Sequence, residues 1–323
     1  MKILVTGGAG YIGSVTAKLL LDRGHEVVVF DNLTYGHKEA VSCPLIVGDL
    51  TDKDFLNKSF ENVDFDAVIH FAAYALAGES MENPNKYFYN NIVGGLNLLE
   101  LMRKKGVSNI VFSSTCAVYG APEVLPVSEN EKKIPESVYG ESKLMFEKIL
   151  YWYDQVYGIK YINLRYFNAA GAPLDAKLGE DHNPETHIIP LAIKAAISGG
   201  EFHLYGKDYK TKDGTCIRDY IHVQDLASAH ILAINKLKES NKSDSFNLGT
   251  GKGYSNLEVL EMIKKVSGID FKIKIDIRRH GDPPIIYADN SKAEKELGFK
   301  PKYSDLETII KTAWQWHKKK SQI

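Results

Sequence analysis

Lys2-Ile3-Leu4-Val5-Thr6-Gly7-Gly8-Ala9-Gly10-Tyr11-Ile12-Gly13 opens the chain, and its reading decides the fold. A short apolar run of strand length meets a glycine turn, and a helical pattern then continues to about Arg23-Gly24. A dinucleotide-binding unit begins in that order. Gly7, Gly10 and Gly13 let the backbone approach a pyrophosphate, whose charge is met by the free N–H groups and positive end of the helix. The bland alternative is a tight turn followed by a surface acid. A second buried run, Glu26-Val27-Val28-Val29-Phe30-Asp31, argues against it, because it ends in an acid eighteen positions after Gly13. A carboxylate there accepts hydrogen bonds from ribose hydroxyls and repels a 2′-phosphate, which selects NAD over NADP.

The alternation of strand and helix continues through Leu45-Ile46-Val47-Gly48-Asp49-Leu50, a short acidic helix, Ala67-Val68-Ile69-His70-Phe71, a helix over about 84–104, and Asn109-Ile110-Val111-Phe112. Such alternation predicts a parallel sheet covered on both faces. The expected fold is α/β, a Rossmann-like doubly wound sheet with a smaller, interleaved C-terminal α/β substrate domain. Residues 1–171 form the expected nucleotide domain, with a returning segment near 217–237, and residues 172–323 the substrate domain. The stretch 172–187 is rich in Asp, Glu and Pro and reads as a boundary or lid. An amphipathic helix over about 304–319 closes the chain.

Forty basic and forty-one acidic residues give a net charge of −1, so no general field attracts nucleic acid or an anionic membrane. Small-molecule partners are expected. The N-terminal apolar run is too short for a signal peptide and no run approaches a membrane span, which predicts a cytoplasmic protein. Cys43, Cys116 and Cys216 are scattered and odd in number, so reduced thiols and no metal are expected.

Within Tyr139-Gly140-Glu141-Ser142-Lys143 a phenol and an ammonium stand four residues apart in a predicted helix, capped by Ser137 and closed by Gly158. Positions i and i+4 share a face. A free tyrosine is about three pH units too weak an acid to be ionised at pH 7, and a neighbouring cation narrows that gap. Thr115 lies where the strand from Asn109 stops, at the edge where open α/β sheets bind ligands. Its hydroxyl could equally cap a turn.

Together, Thr6 to Gly13 and the Tyr139/Lys143 pair resemble the extended short-chain dehydrogenase/reductase superfamily, and within it the UDP-galactose/UDP-glucose 4-epimerase family. The resemblance runs nearly end to end, through Phe71-Ala72-Ala73, Gly78-Glu79-Ser80, Asn90-Asn91, 113–120, 164–171, 218–223 and Arg279-His280-Gly281-Asp282. It implies that Tyr139 is the acid/base, Lys143 its electrostatic partner and a ribose ligand, and Thr115 the hydroxyl that bonds the sugar oxygen. It places Tyr11, Ile12, Asp31, Asn32, Asp49, Leu50, Phe71, Asn90 and Tyr166 on NAD, with Asp49 at the adenine. Asn168, Tyr205, Arg218 and Arg279 match residues that hold the uridine diphosphate, a role that suits planar, permanently charged guanidinium groups. Salt bridging remains the alternative for each arginine, and Arg278 could stand in for Arg279. Ala75 departs from the pattern, since some members place a lysine there near the cofactor phosphates.

The implied reaction is transient oxidation of a UDP-hexose at carbon-4, rotation of the 4-keto sugar, and hydride return, with NAD retained throughout. Ile286 matches a position that limits hexose size, and its intermediate bulk implies UDP-galactose and UDP-glucose as the main pair, with the N-acetylhexosamine pair as a second possibility. A 4,6-dehydratase is disfavoured because Cys116-Ala117, rather than an acid pair, follows Thr115. A non-catalytic NAD-sensing regulator would not need the Thr115, Tyr139 and Lys143 set. The resemblance also implies a homodimer formed by the helices around 91–105 and 137–157. Leu98, Leu101, Leu144 and Ile149 offer apolar positions there that could equally face their own sheet.

Overall fold

The computed structural model describes residues 1–278 and 283–321. Seven parallel strands form the main sheet in the order Asp244–Leu248, Lys160–Tyr166, Asn109–Thr115, Ala67–His70, Lys2–Thr6, Glu26–Asp31, Leu45–Val47. The order reverses between Lys2–Thr6 and Ala67–His70. A crevice opens at such a switch point, outside the carboxyl ends of the strands.

The central strands are apolar on both faces because helices cover both. One face carries Ile3, Val5, Val29, Ile69, Val111, Ile162 and Leu164, packed against helices Tyr11–Asp22 and Val223–Ser240. The opposite face carries Leu4, Phe30, Val68, Ile110 and Phe112, packed against Gly94–Lys105 and Val138–Tyr157. The predicted caps hold on the latter helix. Ser137 Oγ accepts from Gly140 N at 3.1 Å, and Gly158 closes the helix in the left-handed conformation.

A smaller unit lies against this sheet. Strands Asn168–Ala170, Ile217–His222, Gly253–Ser255 and Ile285–Ile286 form one sheet, and Glu201–Tyr205 pairs with Lys272–Asp276 in another. Helices Ile188–Ser198, Asn256–Ser267 and Leu306–Lys320 share its core with Tyr220, Phe202 and Leu204. Of the segment near 217–237, helix Val223–Ser240 packs on the main sheet. Strand Ile217–His222 belongs to the smaller sheet, and the chain rejoins the main one as helix Val223–Ser240 and strand Asp244–Leu248. The cause is packing: Phe246 and Leu248 are buried with Ile162 and Leu164, whereas Tyr220 is buried in the smaller core. Among the described residues no helix is long and apolar enough to cross a membrane.

Candidate active site

A cavity of about 390 Å³ occupies the switch-point crevice. Its floor is the first turn. Gly7 has φ +71°, and a Cβ there would stand 2.5 Å from the Ala72 nitrogen. A Cβ on Gly13 would stand 2.2 Å from the Gly7 carbonyl oxygen. Both positions require glycine if helix and turn are to meet this closely. Gly10 precedes helix Tyr11–Asp22 with no side-chain cap, and the first turn holds no acid. The helix thus offers bare N–H groups and its positive end to the cavity, as a pyrophosphate requires.

At one end, the buried Asp31 carboxylate accepts from Ala9 N at 2.9 Å and Leu33 N at 2.8 Å. Burial raises its pKa while these two bonds oppose the rise. Asn32 Nδ2 donates to Asp49 at 3.0 Å, and Thr51 donates to the same carboxylate through N at 2.8 Å and Oγ1 at 2.7 Å. Burial alone would raise the Asp49 pKa, but the bonds from Asn32 and Thr51 outweigh it and hold the group ionised. Ile12, Leu50 and Phe71 line the walls between.

At the other end stand Thr115, Tyr139, Tyr166 and Asn168. Lys143, one helical turn beyond Tyr139, is 4% exposed and donates to the Ser113 carbonyl at 2.8 Å. Burial pulls its pKa down to about 7, against the pull of Glu147. Burial pushes the Tyr139 phenol up, as does neighbouring Tyr166, while a hydrogen bond with Thr115 lowers it. The capping reading of Thr115 holds, because its Oγ1 accepts from Ala117 N at 3.1 Å and caps the following turn. The Tyr166 and Ser113 hydroxyls are bonded at 2.8 Å, and burial raises the Tyr166 pKa to about 12.

Behind these groups lies a scaffold that sequence reading missed. Asn90 Nδ2 donates to Asn91 Oδ1 at 2.9 Å, Asn91 Nδ2 donates to Ser142 Oγ at 3.0 Å, and Ser142 Oγ donates to the Tyr139 carbonyl at 2.8 Å. Ser80 Oγ accepts from Tyr139 N at 3.1 Å. One turn past Lys143, Glu147 accepts from Arg165 Nε at 2.9 Å and Nη2 at 2.6 Å, and from Ser114 Oγ at 2.6 Å. The helix is thus fixed in rotation and in height.

Arg218, Tyr205 and Ile286 do not line the cavity. Arg218, on Ile217–His222, donates through Nη1 to the Pro283 carbonyl at 2.7 Å, and its charge acts on Cys116. Tyr205 ends the half-exposed strand Glu201–Tyr205. Arg279 lies outside the described residues. Arg278 is engaged elsewhere, with Nε 2.5 Å from Asp208 Oδ1 and its guanidinium 4.2 Å above the Tyr209 ring. Ile286 is buried with Val118, Leu144 and Phe167, beside partly buried Cys116. It therefore stands behind Phe167 and Cys116, both of which line the cavity. Tyr11, whose hydroxyl donates to the Gly171 carbonyl at 2.6 Å, forms the rim together with Glu180, His182 and His187. Those last three carried no periodic signal; His182 and His187 stand at the ends of the His-x-x-Glu-x-His spacing of 182–187, which Glu180 precedes.

The model of the NAD dependent epimerase/dehydratase family matches residues 3–249. The chain belongs to that family. It is 50% identical over 321 residues to the UDP-glucose 4-epimerase of Lactobacillus helveticus, spanning 98% of this chain and 97% of that protein. The crystal structure of UDP-glucose 4-epimerase from Brucella ovis in complex with NAD superposes with a TM-score of 0.94 at 49% identity, over 97% of each chain. The UDP-Glc/GlcNAc 4-epimerase of Campylobacter jejuni matches with a TM-score of 0.86 at 45% identity, over 98% of this chain and 99% of that one. The family member thus shares the fold and full span of epimerases that handle nucleotide sugars.

Proposed function

We infer that the chain is an isomerase that interconverts UDP-galactose and UDP-glucose at carbon-4 with NAD as cofactor. The observation that carries the reading is Thr115 bonded to Tyr139 at the far end of a cavity whose glycine floor fits a dinucleotide, with Lys143 buried one helical turn beyond Tyr139. Bound NAD would supply a reversible hydride acceptor for carbon-4 of the sugar. Gly7, Gly10 and Gly13 hold its pyrophosphate, Tyr11 and Ile12 its approach, Asp31 and Asn32 its adenosine ribose, and Asp49 its adenine. Leu50, Phe71, Asn90 and Tyr166 complete the walls.

Tyr139 takes the proton from the 4-hydroxyl and later gives it back, with Lys143 holding charge beside it and Thr115 fixing the sugar oxygen. Burial raises the tyrosine pKa in the resting protein, and positive charge brought into its cavity opposes that rise. Asn168, Tyr205, Arg218 and Arg279 hold the diphosphate and leave the hexose free to turn. The engagement of Arg278 with Asp208 favours Arg279 for that role. Ile286 sets pocket depth by supporting Phe167 and Cys116 from behind. A second activity, on the N-acetylhexosamine pair, is favoured by the similarity to a relative that handles both UDP-Glc and UDP-GlcNAc.

The nucleotide part is assigned to residues 1–171 with the returning 223–248, and the substrate part to the remainder. The protein works in the cytoplasm as a homodimer. Leu98, Leu101 and Leu144 face their own core, so they contribute nothing to pairing. On the helix Val138–Tyr157 the exposed apolar groups are Met145, Tyr151, Trp152, Val156 and Tyr157, which suit a second copy. Light scattering that gives a single-chain mass at working concentration would exclude this.

The direct test incubates purified protein, with no NAD added, with UDP-galactose and separately with UDP-N-acetylgalactosamine, and resolves products by chromatography. Conversion to the glucose forms supports a 4-epimerase with retained cofactor, and the rate ratio measures the pocket behind Phe167. Tyr139→Phe should abolish turnover while folding and NAD content persist. Failure of both conversions after NAD is supplied, or near-normal turnover by the variant, sinks the assignment.

A further inference from the structure

Four side chains from one polar loop converge at the rim of the cavity. One ligand atom each from Glu180, His182, Glu185 and His187 lies within 4.8 Å of all the others. His187 Nδ1 is 2.9 Å from Glu180 Oε1 and 3.0 Å from Glu185 Oε1. His182 Nδ1 is 3.5 Å from Glu180 Oε1 and 3.5 Å from Glu185 Oε2. A tetrahedron of nitrogen and oxygen ligands about 2.05 Å from a zinc ion has edges of about 3.3 Å. The four separations, which involve both oxygens of Glu185, run from 2.9 to 3.5 Å.

Charge pairing alone leaves one nitrogen without a well-aligned hydrogen bond. Two carboxylates this close, with Glu180 only 4% exposed, need positive charge between them. Two protonated imidazoles would supply it, and His187 has the hydrogen-bond geometry for that role. His182 is less well placed: its Nδ1 is buried and pairs by charge with both carboxylates at 3.5 Å without a well-aligned hydrogen bond to either. A buried nitrogen aimed between two acids at 3.5 Å is placed for a shared cation rather than for a hydrogen bond to either.

We propose that Glu180, His182, Glu185 and His187 form a closed site for a divalent transition metal of the zinc class. Two imidazoles and two carboxylates suit zinc or cobalt, whereas magnesium demands an octahedral oxygen shell. Four protein ligands leave no open position, so the ion is structural. Its effect is mechanical. Glu180 is already tied through its carbonyl to Trp316 Nε1 at 3.1 Å, and the Asp181 carbonyl to His37 Nε2 at 2.9 Å. The metal would join Glu180 to His187, at the threshold of helix Ile188–Ser198, and fasten the segment as one wall of the nucleotide cavity.

The test uses the whole protein, stripped with chelator and titrated with Co²⁺. The expected result is one cobalt per chain with the intense visible absorption of a tetrahedral ion, displaced by zinc and absent in His182→Ala and Glu185→Gln variants that keep the parent circular dichroism. If either variant fails to fold, limited proteolysis of the parent decides. At zinc a hundred times its Kd, cleavage within 180–187 should slow about a hundredfold, because the ion binds only the closed loop. Spectra no different from aqueous cobalt, stoichiometric binding that survives both substitutions, or cleavage indifferent to zinc would each overturn the site. None of these readouts depends on turnover, so they stand apart from the epimerase reading.

Discussion

Replacing Lys143 by methionine should stabilise the nucleotide-free protein near neutral pH and destabilise it in alkali. Burial lowers the lysine from its ordinary 10.5 to about 7. The unfolded chain therefore keeps this proton up to about pH 10.5, while the folded chain gives it up near pH 7. Between those values unfolding takes up a proton, so the lysine makes stability rise with pH. The gap is worth about 5 kcal/mol at 1.36 kcal/mol per pH unit, and about 4 kcal/mol of it acts at pH 7, where the folded amine is half-charged. Methionine has no such cost but leaves the Ser113 carbonyl without its donor, a loss of about 1–3 kcal/mol. The variant should then be ahead by about 1–3 kcal/mol at pH 7 and behind by a similar amount at pH 10.5. Urea unfolding of both proteins across that range isolates the effect, since every other group titrates in both. A stability difference that does not vary with pH would refute the reasoning. Turnover should be lost at every pH, which makes the more stable protein the inactive one.

Three further substitutions test the frame. Gly13→Ala puts a methyl 2.2 Å from the Gly7 carbonyl oxygen and 2.9 Å from Gly8 Cα, backbone atoms with no room to retreat; NAD retained after gel filtration should fall at least about tenfold, equivalent to about 1.4 kcal/mol. Glu147→Gln leaves the Arg165 guanidinium, 4% exposed, without its carboxylate; a loss of about 3–5 kcal/mol should lower the melting temperature by about 4–7 °C, and a change under 2 °C would show the pair to be idle. Ile286→Tyr enlarges a residue packed against Phe167 and Val118; chromatographic rates should shift toward the non-acetylated pair, at a cost of about 1–3 kcal/mol in stability. Unchanged sugar preference would remove Ile286 from the specificity argument.

The main sheet was legible because its strands are covered on both faces and so read as unbroken apolar runs. Strand Asp244–Leu248 was not, since Asp244, Ser245 and Asn247 interrupt it; Asn247 is buried only because Tyr119 and the Val127 carbonyl, more than a hundred residues away, satisfy its amide. The helix carrying Tyr139 and Lys143 declared itself through Ser137 and Gly158, local signals both. Its partner Arg165 could not be paired with Glu147 from the sequence, because that contact depends on where the next strand lies. Periodicity likewise marked Leu98 and Leu144 as apolar without telling which of two covered faces they meet. The four groups of 180–187 meet through the path of an irregular loop, and no spacing rule for helix or strand describes such a path.

The two ionisable groups at the heart of the site are both shifted against their charged forms. Burial raises Tyr139 and lowers Lys143, so the resting cavity favours the neutral phenol and leaves the amine about half-charged at pH 7. A site that stored a permanent phenolate would carry an unpaired buried anion, which costs far more than one hydrogen bond recovers. Keeping both groups near neutrality avoids that cost and makes the base conditional. Any positive charge admitted to the cavity favours the phenolate and disfavours the ammonium, so a proton leaves Tyr139 most easily when the cavity is filled. The Asn90, Asn91, Ser142 chain and the Glu147–Arg165 pair hold the helix that carries both residues. Rigidity is needed there because the advantage of a conditional base disappears if the two heads can swing out to water, where each regains its ordinary pKa.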